Sequence, residues 1–265
     1  MRSIAIMNQK GGVGKTTSTV NISAALAAAG KRVCVIDLDP QSHATLHLGE
    51  ELPYGAKSVY DVLLGKCKLA EVRQQVAENL WLVPAHLDMV GAEMELASAV
   101  GRELILRDEL ADDRFPLDYL FIDCPPSLGL FTLNALTAVN EVFVPLLPHY
   151  LSLQGFMRLV ETLEAVTRRL NKQLRLTGIW ICQFEGTQLA KEIVADIESF
   201  FQHRDNLPSV CRSAVFFETK IRKNVRLAEA PSHGKPIFGY DPNSLGAEDY
   251  RNLAAEIAGF PQQTG

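Results

Sequence analysis

Two lysines five residues apart, set among glycines, are the chemistry-bearing feature of this chain. The run reads Met7-Asn8-Gln9-Lys10-Gly11-Gly12-Val13-Gly14-Lys15-Thr16-Thr17. It follows the β-like stretch Ser3-Ile4-Ala5-Ile6 and leads into an Ala-rich helical segment, 18–29. A strand, a glycine turn and a helix N-terminus make a phosphate cradle. Backbone N–H groups converge, the helix dipole favours negative charge, and a lysine reaches the outer phosphates. Thr16 is then placed to set its hydroxyl on Mg²⁺. The usual phosphate-loop spacing asks for glycine at position 9, where this chain has Gln9; Lys10 stands ahead of paired glycines instead. Lys15 already serves the loop's own nucleotide, so a second lysine needs a further anion.

Three carboxylates end apolar runs. Asp123 closes Tyr119-Leu120-Phe121-Ile122, a buried strand in character that delivers its charge at the tip and suits a magnesium-side carboxylate. Asp37 and Asp39 follow Val33-Cys34-Val35-Ile36. Two residues apart on an extended chain, they project to the same side. Phosphoryl transfer needs positioning and charge neutralisation more than covalent chemistry, so one such carboxylate is enough to direct a water.

With these residues in hand a resemblance is plain. The segment 10–17 resembles the deviant Walker A loop of the ParA/MinD family of ATPases. Asp37-Leu38-Asp39-Pro40-Gln41 resembles the family's second acidic motif, and Phe121-Ile122-Asp123-Cys124-Pro125-Pro126-Ser127-Leu128-Gly129 its Walker B segment. The stretch Asn224-Val225-Arg226-Leu227-Ala228-Glu229-Ala230-Pro231-Ser232-His233-Gly234-Lys235-Pro236 resembles the C-terminal signature of chromosomal, Soj-type ParA proteins. The likeness spans residues 1–257.

That resemblance implies ATP and Mg²⁺ as ligands. Gly11, Gly12, Val13, Gly14, Lys15, Thr16 and Thr17 hold the phosphates, and Thr16, Asp37 and Asp123 serve the metal. Lys15 and Asp39 are catalytic, Asp39 by orienting or activating the attacking water. Lys10 is catalytic across the interface of an ATP-sandwich homodimer, where it touches the partner's phosphates; close approach of backbone to backbone there suits Gly12. Segments 40–47 and 125–131 act as switch loops. The strand end near Gln183 and the loop 221–225 flank the adenine, with Asn224 the best single contact.

Apolar runs rich in β-branched residues at 3–7, 32–36, 80–83, 119–122, 141–147, 178–182 and 214–217 read as strands. Phe156, Leu159, Val160, Leu163, Val166 and Leu170 fall at helical spacing, as do Leu189, Ile193, Val194, Ile197, Phe200 and Phe201, with Thr187 as a cap. Alternating β and α units predict an α/β fold: a largely parallel twisted sheet with helices on both faces and ligands at the carboxyl ends of the strands. The 265 residues show no linker or repeat, so residues 1–265 read as one P-loop ATPase domain. Trp81 and Trp180 read as core. Five scattered cysteines without a C-x-x-C pair read as reduced, in a cytoplasmic protein.

A net charge of −5 argues against a uniformly basic nucleic-acid binder and leaves room for a local patch. Between 218 and 235 only Glu218 and Glu229 are acidic, while Lys220, Arg222, Lys223, Arg226 and Lys235 are basic. By resemblance Lys220, Arg222, Lys223 and Arg226 contact non-specific DNA, placing the ATP dimer on the nucleoid with a ParB-like activating protein. The loop 184–188 lacks the family's arginine, which keeps open an orphan positioning ATPase for a protein cargo. A metabolic P-loop enzyme is disfavoured by the C-terminal signature. A MinD-like membrane role is disfavoured by a C-terminus, 256–265, with no basic amphipathic stretch and with Pro261. The glycine loop comes so early in the sequence that no helix-turn-helix extension is expected ahead of it.

Overall fold

The computed structural model describes residues 1–86, 95–150, 152–202 and 207–260; Pro261 and the residues after it, part of the C-terminal argument above, lie outside these. One sheet runs through the described residues. Its strands are β1 (Arg2–Ile6), β2 (Val33–Asp37), β3 (Gln74–Ala77), β4 (Leu80–Val83), β5 (Tyr119–Asp123), β6 (Glu141–Leu146), β7 (Arg175–Ile181) and β8 (Val215–Phe216). Their order is β3-β4-β2-β5-β1-β6-β7-β8. Every neighbouring pair is parallel except β3 with β4.

Parallel strands covered on both faces read as unbroken apolar runs, and every residue of β1, β2 and β5 is buried. Side chains alternate between two cores. Ile4, Ile6, Tyr119 and Phe121 face one side with Val20 and Leu26 of helix α1 (Lys15–Ala28). Ala5, Leu120 and Ile122 face the other. That second side is covered by α3 (Val59–Leu63), α4 (Leu69–Val72), α5 (Ile105–Asp112), α6 (Leu130–Ala138), α7 (Ser152–Arg169) and α8 (Gln188–Gln202). The first side also carries α2 (His43–His47), α9 (Val225–Glu229), α10 (Ile237–Tyr240) and α11 (Leu245–Gly259). Thr187 accepts from Ala190 N at 3.2 Å, capping α8 as its sequence position suggests.

The elements depart from the apolar runs where polar residues do structural duty. Helix α1 begins at Lys15, three residues early, because Gly14 sits at φ 95° and turns the loop straight into the helix. Strand β7 begins at Arg175 because Thr177 donates to Glu141 (2.9 Å), a buried carboxylate that also holds the Arg2 guanidinium (2.7 Å). Strand β3 is polar, half-exposed and an edge, so no apolar signal marks it. Trp180 is fully buried, whereas Trp81 is only half-buried and packs edge-on against Phe115. All five cysteines are free and buried.

Where α2 meets the turn after α9, backbones touch. A Cβ on Gly49, at φ 85°, would lie 2.8 Å from Gly234 O. Beside this contact His47 is 1% exposed with Nε2 unpartnered. Burial drives its pKa from 6.5 down to about 4, against a backbone hydrogen bond at Lys235. The folded imidazole stays neutral where the unfolded one is charged, so the unfolded chain binds the extra proton between those values. Stability is therefore lost as pH falls from 6.5 towards 4, by roughly 3 kcal/mol from this residue. Urea melts of wild type and His47→Gln between pH 7 and pH 4.5 check it: the wild type loses more stability on acidification, and equal losses would refute it.

Candidate nucleotide-binding site

The carboxyl ends of three adjacent strands carry the chemistry. Strand β1 lies between β5 and β6, and β2 lies beyond β5. Asp37 and Asp123 are register partners at the ends of β2 and β5. The glycine loop leaves β1 on the same edge, so the sheet brings the predicted phosphate and metal residues together.

Lys15 is 7% exposed at the first position of α1. Among the described residues its ammonium has one hydrogen-bond partner, the Lys10 carbonyl at 3.5 Å. Gly14 offers no side chain to cap the first turn, so its N–H groups are left for an anion. The Gln183 amide donates to Gly12 O at 2.8 Å and ties the loop to the end of β7. The Asn8 amide donates to Pro145 O at 2.8 Å, and Asn8 Oδ1 accepts from Lys10 N at 3.0 Å. Lys10 itself projects into solvent. A Cβ at Gly11 or Gly12 would meet nothing within 4 Å, and Gly12 holds φ 71°.

The carboxylates are held differently. Asp123 accepts from Thr16 at 2.6 Å and from Thr19 at 3.0 Å. Asp37 accepts from Thr45, by its N–H at 2.9 Å and its hydroxyl at 2.8 Å, and from Asp39 N at 3.1 Å. Asp39, 7% exposed, accepts from Gln41 N at 3.0 Å through Oδ1; Oδ2 has no hydrogen-bond partner among the described residues. Burial, and then the neighbouring Asp37 charge, raises the Asp123 carboxyl well above the usual range. Burial raises Asp37 too, against its hydrogen bonds.

Buried acidic oxygens whose charge is disfavoured by their surroundings, beside a threonine hydroxyl, are a hard donor set that fits Mg²⁺. Thr16 and Asp123 would hold it, with Asp37 behind them; bound there, the ion would neutralise phosphate charge. By donating its proton to Asp123, Thr16 turns its lone pairs outward. Thr19 and Thr45 escaped the sequence reading. Thr19 lies one helical turn beyond Thr16, a spacing that could have marked it. Thr45, eight residues past Asp37, left no local signal.

Behind the loop a cavity of about 330 Å³ is lined by Gly14, Cys182, Gln183, Ile221, Asn224 and Tyr250 among others. It joins the two segments expected to flank the base, and it lies against the glycine loop as a base site must. Asn224 caps α9 by accepting from Arg226 N at 2.8 Å. Burial pushes the Cys182 thiol up to about 12, so it is an inert wall.

The basic set read from 218–235 looks different in space. Lys220 pairs with Glu198 (3.6 Å), Lys223 with Glu185 (2.5 Å), and Arg226 with Glu229 (2.8 Å) and Asp241 (3.4 Å). Arg222 pairs with Asp249 (2.5 Å) and Glu248 (2.7 Å). Only Glu229 belongs to the same stretch. The local excess of positive charge is thus offset by carboxylates that folding brings from elsewhere, a correction to the balance counted along the chain.

A glycine loop opening a helix at a buried lysine, faced by aspartates on adjacent parallel strands, defines a P-loop nucleotide-binding protein. The model of an AAA domain family matches residues 1–176. The chain is 43% identical over 257 residues to the sporulation initiation inhibitor protein Soj of Bacillus subtilis, covering 96% of this chain and 97% of that protein. It is 42% identical over 258 residues to the chromosome-partitioning ATPase Soj of Treponema pallidum, covering 97% and 96%. It also superposes on the crystal structure of cobyrinic acid a,c-diamide synthase from Mycobacterium smegmatis with bound ADP and magnesium. There the TM-score is 0.80 at 33% identity, over 97% of this chain and 94% of that one. This chain belongs to the Soj/ParA family of chromosome-partitioning ATPases.

Proposed function

We propose that this protein is an ATP-hydrolysing switch whose ATP–Mg²⁺ form is a homodimer with two nucleotides held between the protomers. The dimer binds DNA non-specifically, associates with the nucleoid in the cytoplasm, and segregates or positions a chromosome, plasmid or other cargo. A ParB-like protein stimulates hydrolysis. The observation that carries this reading is the contrast between the two loop lysines: Lys15 is buried towards its own phosphate site, while Lys10 faces solvent on the loop's outer rim. No carboxylate among the described residues pairs with Lys10, and the glycines beside it are open to close approach. A second protomer's phosphates are the anion such a lysine suits. Among the described residues no helix is long and apolar enough to cross a membrane.

One experiment tests assembly and surface together. With Mg²⁺ and a non-hydrolysable ATP analogue, the wild type sediments at twice the monomer mass and retards DNA. The retardation weakens steeply as salt is raised. Lys10→Ala binds the analogue with near wild-type affinity yet stays monomeric and leaves DNA unshifted. A Lys10→Ala protein that dimerises like wild type removes the cross-subunit role. The ion pairs at Lys220, Arg222, Lys223 and Arg226 favour a second reading, a positioning ATPase for a protein cargo with little affinity for DNA. A wild-type dimer that leaves DNA unshifted even at low salt selects it.

A further inference from the structure

The wall of the cavity behind the glycine loop is anchored from an unexpected quarter. Segment 221–223 continues the sheet edge beyond β7: Ile221 N donates to Ile181 O (2.8 Å), Phe184 N to Ile221 O (3.0 Å) and Lys223 N to Phe184 O (3.2 Å). Arg222 lies between these and faces away from β7. Its backbone N–H donates to Asp249 Oδ2 at 2.8 Å, on helix α11. Its guanidinium forks onto the same carboxylate, with Nε 2.9 Å from Oδ1 and Nη2 2.5 Å from it. Asp249 is 4% exposed. One buried carboxylate therefore clamps both the main chain and the side chain of Arg222. The next residue, Tyr250, lines the cavity and hydrogen-bonds Ser18 of α1 at 2.9 Å. Successive residues of α11 thus brace two walls of one cavity.

We infer that Asp249 is a positioning residue for nucleotide binding: by holding Arg222 it sets the segment that walls the cavity, and so tunes affinity for the base-bearing end of the nucleotide without touching the phosphate end. The inference rests on reading this cavity as the base site. A buried carboxylate that takes the backbone N–H on one oxygen and two guanidinium N–H groups on the other has one geometry, which is what a wall that must fit a flat ring needs. The anchor holds segment 221–225, which lines the cavity, and makes no hydrogen bond to the glycine loop among the described residues, so its loss is felt at the base and not at the phosphates.

The test compares ATP with inorganic tripolyphosphate, both with Mg²⁺, by calorimetry. The wild type binds ATP more tightly than tripolyphosphate. Asp249→Asn keeps the shape and loses the charge; its Kd and KM for ATP rise about tenfold while kcat and tripolyphosphate affinity hold. Arg222→Lys keeps the charge and the backbone bond but loses the fork, and gives a smaller rise. It carries the same comparison should Asp249→Asn fail to fold. Wild-type ATP affinity in both variants overturns the inference, as does a parallel loss of tripolyphosphate, which marks a purely structural role. A wild type that binds ATP no better than tripolyphosphate overturns the base-site reading itself, and this inference with it.

Discussion

Lys15→Ala abolishes nucleotide binding while leaving the protein folded. Removing a buried, charged partner of an anion costs about 4 kcal/mol, roughly a thousandfold in Kd. Stability is spared because Lys15 returns little to the fold: it is 7% exposed, yet among the described residues its ammonium has only a carbonyl at 3.5 Å. A buried cation so poorly matched is held for a ligand the fold does not supply. Calorimetry with ATP and Mg²⁺ should show no heat of binding, and thermal melting a midpoint at or above that of wild type. The wild type should gain stability on adding ATP, by the logarithm of ligand concentration over Kd, and the variant should not. A Lys15→Ala protein that still binds ATP at micromolar concentration would remove the loop from the phosphate site. One that unfolds would give Lys15 a structural role instead.

Much of this site was legible because its signals are local. The glycine loop, its lysines and Thr16 are contiguous, and the aspartates end apolar runs whose burial the parallel sheet requires. Strand order needed the structure: nothing in the chain says that β2 and β5 are neighbours, yet that pairing is what sets Asp37 beside Asp123. Thr45 and the Gln183 amide were hidden for the same reason, since each acts on a residue that only folding brings near. The basic stretch shows the opposite failure. Charges counted along 218–235 gave a positive balance, but helices α8 and α11 bring in Glu198, Glu248 and Asp249. Charge is a property of a surface, and a surface is assembled from distant segments.

Thr45 also joins the carboxyl edge of the sheet to the rest of the molecule. Its hydroxyl donates to Asp37 and accepts from Ala85 N at 3.0 Å, linking the ends of β2 and β4 through α2. Segment 40–47 thus leaves Asp39 and ends in a helix locked back onto Asp37. A change at Asp39 has a short path to the packing of α2 against the turn at Gly234, where the two backbones touch. The proposed switch loop is tied at both ends, an arrangement suited to two discrete positions.

Asp39→Ala retains ATP binding and loses turnover by about a hundredfold, the lower end of what a positioned general base contributes. The phosphate cradle and the Thr16–Asp123 pair do not involve this side chain, so affinity has no reason to fall. With hydrolysis slowed, the proposed ATP-bound dimer persists, and light scattering after one equivalent of ATP should report the doubled mass long after the wild type has returned to monomer. The alternative is that Asp39 matters only to the turn, because Oδ1 accepts from Gln41 N at 3.0 Å. Asp39→Asn separates the two. An asparagine oxygen still accepts that bond, whereas its amide cannot take a proton from water. Both variants should lose phosphate release alike, and only Ala should lose the turn, at about 1 kcal/mol in urea melts. An Asn variant that hydrolyses ATP like wild type would reduce Asp39 to a turn residue and move the water-directing role to Asp37, whose oxygens are already engaged by Thr45 and the Asp39 N–H.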